Sequence, residues 1–407
     1  MTARASEREV WITGIGLVSS LGEGAQAHWR RLGETAQPAP EVDADWFPPY
    51  PVHGLAELDF SRYIPKRSDQ RQMEMWQRIG CYGAGMALED AGILNDAEIL
   101  DRTAINIAAG SGERDTAVDQ KVLDTVAERS GLEVLAKEIL PGALKPTLFL
   151  AQLANLLAGN ISIIHNVTGA SRTFMGEEMA GVSALEDAWR RIAFGQEDIF
   201  LTGGALNARR ADLLLNLELG RYLWARPYAP VWDRRGDGGM VLGSVGAFLV
   251  LEAREHAQAR GARPYAQLAR LVSGRAQRGA GEIAPALTGM IEALRRPASN
   301  KPVCVLSGVS GAEPALSDEM AALETLVASG GVSAVRAYGS VFGHMLEAHF
   351  PAGVALAALA LHHRRFYPPF SRSEIETEWQ GQPDDVLVTA VGHWRGEGAA
   401  MVSACAD

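Results

Sequence analysis

The sequence predicts an α/β protein whose two similarly built halves stack as an α/β/α/β/α sandwich. Three observations carry that prediction. Short β-branched runs ended by glycine alternate with helical stretches along the whole chain. The same strand–helix grammar restarts after about residue 265, with no low-complexity linker between the halves. The central helices, above all "FPAGVALAALALHHRRF", are apolar on most sides, which places them between sheets and not on a surface. A chain of 407 residues also exceeds what one core usually serves, so two core units are expected. Its 43 glycines suit tight strand–helix turns.

In order, "VWITGIGLVSSLG" reads as strand, turn and strand, and Ala25–Leu32 as a helix. "MEMWQRIGCYGAGMALEDAGI" reads as a helix of about six turns stopped at Gly92. "TAINIAAGSG" is a strand entering a glycine turn, and "TLFLAQLANLLAGNISIIHNVTG" a helix closing at Gly159 before a strand. The short apolar strand Thr173–Met175 breaks at Gly176, and a helix follows. "DIFLTGGALNARR" reads as a buried strand ending in a Gly203–Gly204 turn, not a phosphate loop, since no lysine follows. "GAFLVLEAREHAQARG" feeds a strand into a helix with Glu252 and His256 at helical spacing. In the second half, "YAQLARLVSG", "KPVCVLSGVSG" and "VSAVRAYG" are strands and "LTGMIEALRRP" a helix; "VLVTAVGHWRGEGAAMVSACA" closes the chain as two strands.

The bulk properties exclude several function classes. A formal net charge of −11 opposes nucleic acid as a main partner, because phosphate neutralisation needs a basic surface. Cys81, Cys304 and Cys405 show no metal or redox spacing and read as reduced thiols in a cytoplasmic protein. The polar start runs into a strand with no apolar signal region, and no uncharged apolar run reaches the roughly 18 residues of a membrane span. Asp233 and Asp237 in "DRRGDGG" are explained by turn chemistry, and no metal site or cofactor is expected.

Several stretches, in order and nearly end to end, resemble the β-ketoacyl-acyl-carrier-protein synthases of the thiolase fold. They are "VWITGIGLVSSLGEGAQAHWRRL", "MALEDAGI", "GNISIIHNVTGAS", "ALEDAWRRIAFGQEDIFLTGGA" and "GSVFGHMLEAHFPAGV". The most specific is "VWDRRGDGGMVLGSVGAFLVLEAREHAQARGARPYAQL". The resemblance implies a thiolase-like five-layered sandwich, with residues 1–260 as one half and 261–407 as the other. It also implies a site of one cysteine at a helix N-terminus and two histidines. The cysteine would attack an acyl thioester, and the histidines would stabilise the enolate formed on decarboxylation.

Carried over by position, the cysteine falls on Glu178 and the first histidine on Gly308; the second histidine is kept as His344. A motif lysine falls on Gly339, a glutamate becomes Ser244, and the C-terminal glycine-rich loop survives only roughly as "VGHWRGEG". A glutamyl adduct would be a water-sensitive mixed anhydride, and losing even one oxyanion donor costs about 10²–10³ in rate. No catalytic residue is therefore expected. Glu178 at a helix N-terminus reads first as a plug that caps its own helix, second as a partner or acid/base mate of His344. Glu177 reads as a capping or solvent-facing carboxylate. His349, His362, His363 and His393 have no metal spacing, and His362–His363 suits a helix end.

Family members without the nucleophile are chiefly chain-length factors, which pair with an active ketosynthase. The resemblance thus implies a catalytically silent chain-length factor in a heterodimer that elongates carrier-protein-bound polyketide, polyene or specialised fatty acyl chains. The family's chain-length factors usually carry glutamine where Glu178 stands, a departure that points outside the aromatic polyketide systems, for example to aryl polyene assembly. The strand at about Arg172–Met175 would pair across the dimer axis. Phe149, Thr116, Phe174 and Met175 would border the substrate tunnel, where bulk limits chain growth. Acyl carrier protein, itself acidic, would dock mainly on the partner, with at most a local contribution from Arg254, Arg260 and Arg263. Two other readings are a decarboxylase or hydrolase using Glu178 and His344, and a stand-alone acyl-binding homodimer.

Overall fold

The β-branched runs form strands whose order repeats. A computed structural model describes residues 7–35, 38–128, 131–144, 152–295 and 301–405; Phe149 lies outside them. The strands are β1 (Val10–Ser19), β2 (Gly22–Glu23), β3 (Val52–His53), β4 (Ala104–Ala108), β5 (Ser171–Phe174), β6 (Ile199–Leu206) and β7 (Leu242–Gly243). They continue as β8 (Val245–Ala253), β9 (Ala266–Gly274), β10 (Val303–Ser307), β11 (Val332–Ala337), β12 (Asp385–Val391) and β13 (Glu397–Ser403). The main sheet runs β11-β10-β12-β13-β9-β1-β8-β6-β4-β5.

This order is one pattern written twice. In β5-β4-β6-β8-β1 the first three strands are parallel and the last two antiparallel to their neighbours. In β11-β10-β12-β13-β9 the same holds. The two sets meet where β1 pairs with β9 through Trp11–Gln267 and Ile12–Ala266.

Six helices complete the five layers: α1 (Met75–Asp90), α2 (Leu156–His165), α3 (Glu178–Ala193), α4 (Ile283–Leu294), α5 (Ala315–Ala328) and α6 (His349–His362). On one outside, α1 packs on β1, β6 and β8 and α2 on β4. On the other, α4 packs on β9 and β13 and α5 on β11. Between the sheets, α3 touches β4, β6, β9 and β13, while α6 touches β8 and β12. Every residue of α6 from His349 to Leu361 is buried, which is why its sequence carries almost no polar face. Among the described residues no helix is long and apolar enough to cross a membrane.

Four local expectations change. "VWITGIGLVS" is one strand, because Gly14 and Gly16 serve a close approach and not a turn. A Cβ at Gly14 would lie 2.4 Å from the Ala87 carbonyl oxygen, and one at Gly16 1.9 Å from that of Gly83. Gly203 and Gly204 likewise lie inside β6, where a Cβ would meet the Ala247 oxygen at 2.1 Å or the Ala108 oxygen at 2.7 Å. Helix α1 has 16 residues, about four and a half turns, and does end before the positive-φ Gly92. Gly159 sits within α2, which runs through the expected strand to stop at left-handed Asn166.

These glycines give an opposed pair of tests. Gly16→Ala should cost about 1–3 kcal/mol by overpacking backbone against backbone. Gly159→Ala, with nothing among the described residues within 4 Å of the added carbon, should stabilise by about 0.5–1 kcal/mol. Urea midpoints at constant slope check both.

Candidate functional site

Strand β5 delivers the chain to the mouth of α3 through a strained bend. Gly176 has φ +130°, and Glu177, which has a side chain, is held at φ 51°, ψ −133°. Such a conformation costs about 1–3 kcal/mol and persists only where neighbours over-determine it. The neighbours are the residues between β12 and β13. Trp394 Nε1–H and Arg395 Nη2 both donate to Glu177 Oε2, at 3.1 and 3.2 Å, and the Arg395 guanidinium lies 4.3 Å from the Trp394 ring centre. A Cβ at Gly176 would lie 3.1 Å from Arg395 Nη2, so glycine there suits both the bend and the contact.

Glu178, the first residue of α3, is 2% exposed and does not cap its helix. Its carboxylate is taken by two imidazoles. His344 Nε2–H donates to Oε1 at 2.8 Å, and His393 Nδ1–H lies 2.9 Å from Oε1 and 3.2 Å from Oε2. The His393 backbone N–H adds a fourth contact at 3.2 Å. An ionised carboxylate only accepts, so both ring nitrogens must carry their protons. His344 is fixed by its own backbone, which exchanges hydrogen bonds with Val241 and Gly243. Among the described residues its Nδ1 is buried without a partner. His349, at the start of α6, accepts from the Met345 amide at 3.3 Å, and its ring centre lies 4.2 Å from that of His344.

Electrostatics follow from this packing. Burial pushes the Glu178 carboxyl up, but the His393 charge and the hydrogen bonds from His344 and His393 outweigh it and hold the group well below the usual carboxylate range. For His393, burial pulls down and the Glu178 and Glu177 carboxylates pull up, with a net rise. Burial and the neighbouring His344 hold His349 well below an ordinary imidazole. Above Glu177 and His393 opens a cavity of about 390 Å³, bordered also by Gly110, Met175, Tyr222 and Glu347.

The other positions of interest are closed. A Cβ at Gly308 would sit 2.3 Å from the Thr389 oxygen and 2.7 Å from Tyr338 Oη, so no imidazole fits there. The preceding Ser307 gives its hydroxyl to Glu319 at 2.6 Å. Ser244 Oγ accepts from the Ala208 amide at 2.9 Å. Cys81 and Cys304 are buried, which pushes both thiols up, and no cysteine borders the cavity.

Against known proteins, the family model described as the N-terminal domain of β-ketoacyl synthase matches residues 7–257. The chain belongs to the β-ketoacyl synthase family. The 3-oxoacyl-acyl-carrier-protein synthase 2 of Vibrio harveyi is 28% identical over 271 residues, 65% of this chain and 62% of that protein. The enzyme of the same name from Rhizobium meliloti (strain 1021) is 29% identical over 289 residues, 64% of this chain and 63% of that protein. The chain thus aligns with under two thirds of these relatives' length. Among solved structures, the ishigamide ketosynthase/chain length factor superposes with a TM-score of 0.75 at 21% identity, covering 98% of this chain and 100% of that one. A β-ketoacyl synthase from Burkholderia phymatum STM815 gives 0.77 at 19% identity, with the same coverage. Both carry the thiolase-like fold.

Within this family fold, the structure brings together Glu178 and His344 and places Gly308 beside Thr389 and Tyr338. The expected tunnel residues divide. Met175 borders the cavity over Glu177; Phe174 packs on Ala108, Ala180 and Ala184. Thr116 instead opens the helix Thr116–Ala127 and lines a separate apolar groove of about 890 Å³ against the helix Ala211–Leu219. Asn216 borders both spaces. Arg254 and Arg260 are engaged with Glu9 and Glu252, and His363 stacks on Trp29 at 4.1 Å. Among the described residues no group of His, Cys, Asp or Glu is arranged to hold a metal ion. Sequence reasoning missed His393, the Trp394–Arg395 clasp and Glu347. The signal available for the first was its place in the rough glycine loop that follows β12.

The sign of the pH effect follows from the pair. Glu178, depressed, stabilises above its unfolded value of 4.5 and loses this as pH falls through its folded pKa. His393, raised, stabilises fully below 6.5 and loses this as pH rises through its folded pKa. Glu178→Gln should therefore lower Tm most between about pH 4.5 and 6.5 and progressively less towards pH 9. Thermal melts across that range check it.

Proposed function

We propose that this chain is a ketosynthase-like subunit with no condensing activity of its own, a chain-length factor that pairs with an active ketosynthase. The observation that carries this reading is Glu178, a buried anion at the helix mouth with both its oxygens committed to imidazoles. Acyl transfer needs a nucleophile that can hold a thioester, and a carboxylate so bound is neither free to attack nor able to store the acyl group. Gly308 supports the reading further, since it withholds a second oxyanion donor.

The partnership is supported by β5, an edge strand whose one neighbour among the described residues is β4. An unpaired edge is a template for a strand from another chain. On this reading residues 1–260 bear the degenerate nucleophile site and 261–407 the remaining histidine. The heterodimer builds polyketide, polyene or specialised fatty acyl chains, and acyl carrier protein engages chiefly the catalytic partner. The ishigamide ketosynthase/chain length factor, similar in fold, is a precedent for such an assembly by its name.

One observation favours a second reading. Glu178 and His393 form a coupled acid/base pair beside an open cavity, an arrangement that could decarboxylate or hydrolyse an acyl thioester. Malonyl-carrier turnover by the purified chain, abolished in Glu178→Ala, would establish it.

The test of the first reading is co-expression with an intact cysteine–histidine–histidine ketosynthase from the same genome. Copurification as a one-to-one complex, with chain elongation only when both are present, is expected. A well-behaved homodimer that never captures the ketosynthase would leave a stand-alone acyl-binding protein instead.

A further inference from the structure

One buried acid in the site is left without a task. Glu347 belongs to the turn Leu346–Ala348 that enters α6; it is 5% exposed and borders the cavity over Glu177 and His393. No side chain among the described residues partners its carboxyl, whose hydrogen bond is to its own backbone amide. Its placement is built in from two sides. Gly110 leaves the room it occupies, since a Cβ there would lie 2.6 Å from Oε1. Gly181 lets the Glu347 carbonyl press on α3, where a Cβ would lie 2.3 Å from that oxygen. Two close approaches therefore hold a carboxyl with no side-chain partner among the described residues at the wall of a ligand-sized space.

Charges of both signs surround it. From the start of α3 come Glu177 and Glu178, and from the loop after β12 come His393 and Arg395, which neutralise them. His344 and His349 lie behind Glu178. Arg210, on the far wall, is spent on Asp212 at 2.6 Å and on the Ser111 and Gly112 carbonyls. Burial, with the Glu178 and Glu177 charges, pushes Glu347 up to about 7. Below that pH it is a neutral carboxylic acid with a proton to give, and above it a carboxylate at the wall with no side-chain partner among the described residues.

We infer that Glu347 donates a hydrogen bond to the β-carbonyl oxygen of an uncharged acyl chain lying in this cavity, and that the same group, once ionised, excludes acyl groups that carry a carboxylate. The inference rests on the acyl-handling reading above and adds a ligand class to it: β-ketoacyl chains are held, malonyl-type groups are refused. Leu206, Leu213 and Leu217 supply the apolar wall for the hydrocarbon part.

The test uses the full chain and three N-acetylcysteamine thioesters, acetoacetyl, butyryl and malonyl, with dissociation constants measured by NMR titration at pH 6 and pH 8. The acetoacetyl probe should bind about tenfold more tightly at pH 6 than at pH 8, the worth of one hydrogen bond to the acid. Butyryl, with no second carbonyl, should bind alike at both, and malonyl should not bind at pH 8, where Glu347 is ionised. Glu347→Gln, whose amide donates at either pH, should carry the tight acetoacetyl binding to pH 8, and its thermal unfolding shows whether the fold is kept. Glu347→Ala should bind acetoacetyl no better than butyryl. Acetoacetyl binding that is independent of pH and of both substitutions, or malonyl binding equal to butyryl at pH 8, overturns the inference alone. Failure of acetoacetyl and butyryl to bind at either pH removes the acyl-handling reading and the inference with it.

Discussion

The site depends on one interaction, a buried carboxylate at a helix N-terminus held by two imidazoles. A charge that deep is tolerable only when its hydrogen bonds are satisfied and an opposite charge lies close. Glu178 meets both conditions, through His344, His393 and the His393 amide. The backbone N–H groups opening α3 add a field of the right sign. The features that favour a thiolate at such a helix mouth also stabilise a carboxylate, so one residue type can replace the other without rebuilding the scaffold. What changes is reactivity, because a carboxylate so bound is a poor store for an acyl group.

That interaction also ties the two strand sets together. Glu178 follows β5 in the first set, while His344 follows β11 and His393 follows β12 in the second. The loop after β12 reaches across with three successive residues, His393 to Glu178 and Trp394 and Arg395 to Glu177. The strained backbone at Glu177 is held by that clasp, and Gly396 keeps the loop close, since a Cβ there would lie 2.2 Å from Met179 Cγ. Site and inter-sheet packing are therefore one construction. A change in the clasp would be felt at the bend, at the helix start and at the cavity wall.

Much of this was legible in the sequence. The strand–helix alternation gave the layered architecture because periodicity is a local consequence of which faces are buried, and α6 betrayed its central place by lacking a polar face. Glycine was the ambiguous letter. Gly14, Gly16, Gly203 and Gly204 looked like turns, yet each answers to a neighbouring backbone that no local pattern reveals. The site divided in the same way. Glu178 and His344 stood out because each occupies a position with a recognisable setting. His393 and Glu347 did not, since nothing in a lone histidine or glutamate outside a recognisable setting announces what it will face.

The most direct measurement is of the Glu178 carboxyl itself, by ¹³C NMR of the glutamate side-chain carbons across pH 3 to 8, with Glu178→Gln to assign the resonance. A carboxylate locked between His344 and His393 stays ionised well below the 4.5 of an ordinary glutamate. A Glu178 resonance that titrates at or above that value would mean the imidazoles do not hold a charge there, and the account of a site closed by its own anion would fail.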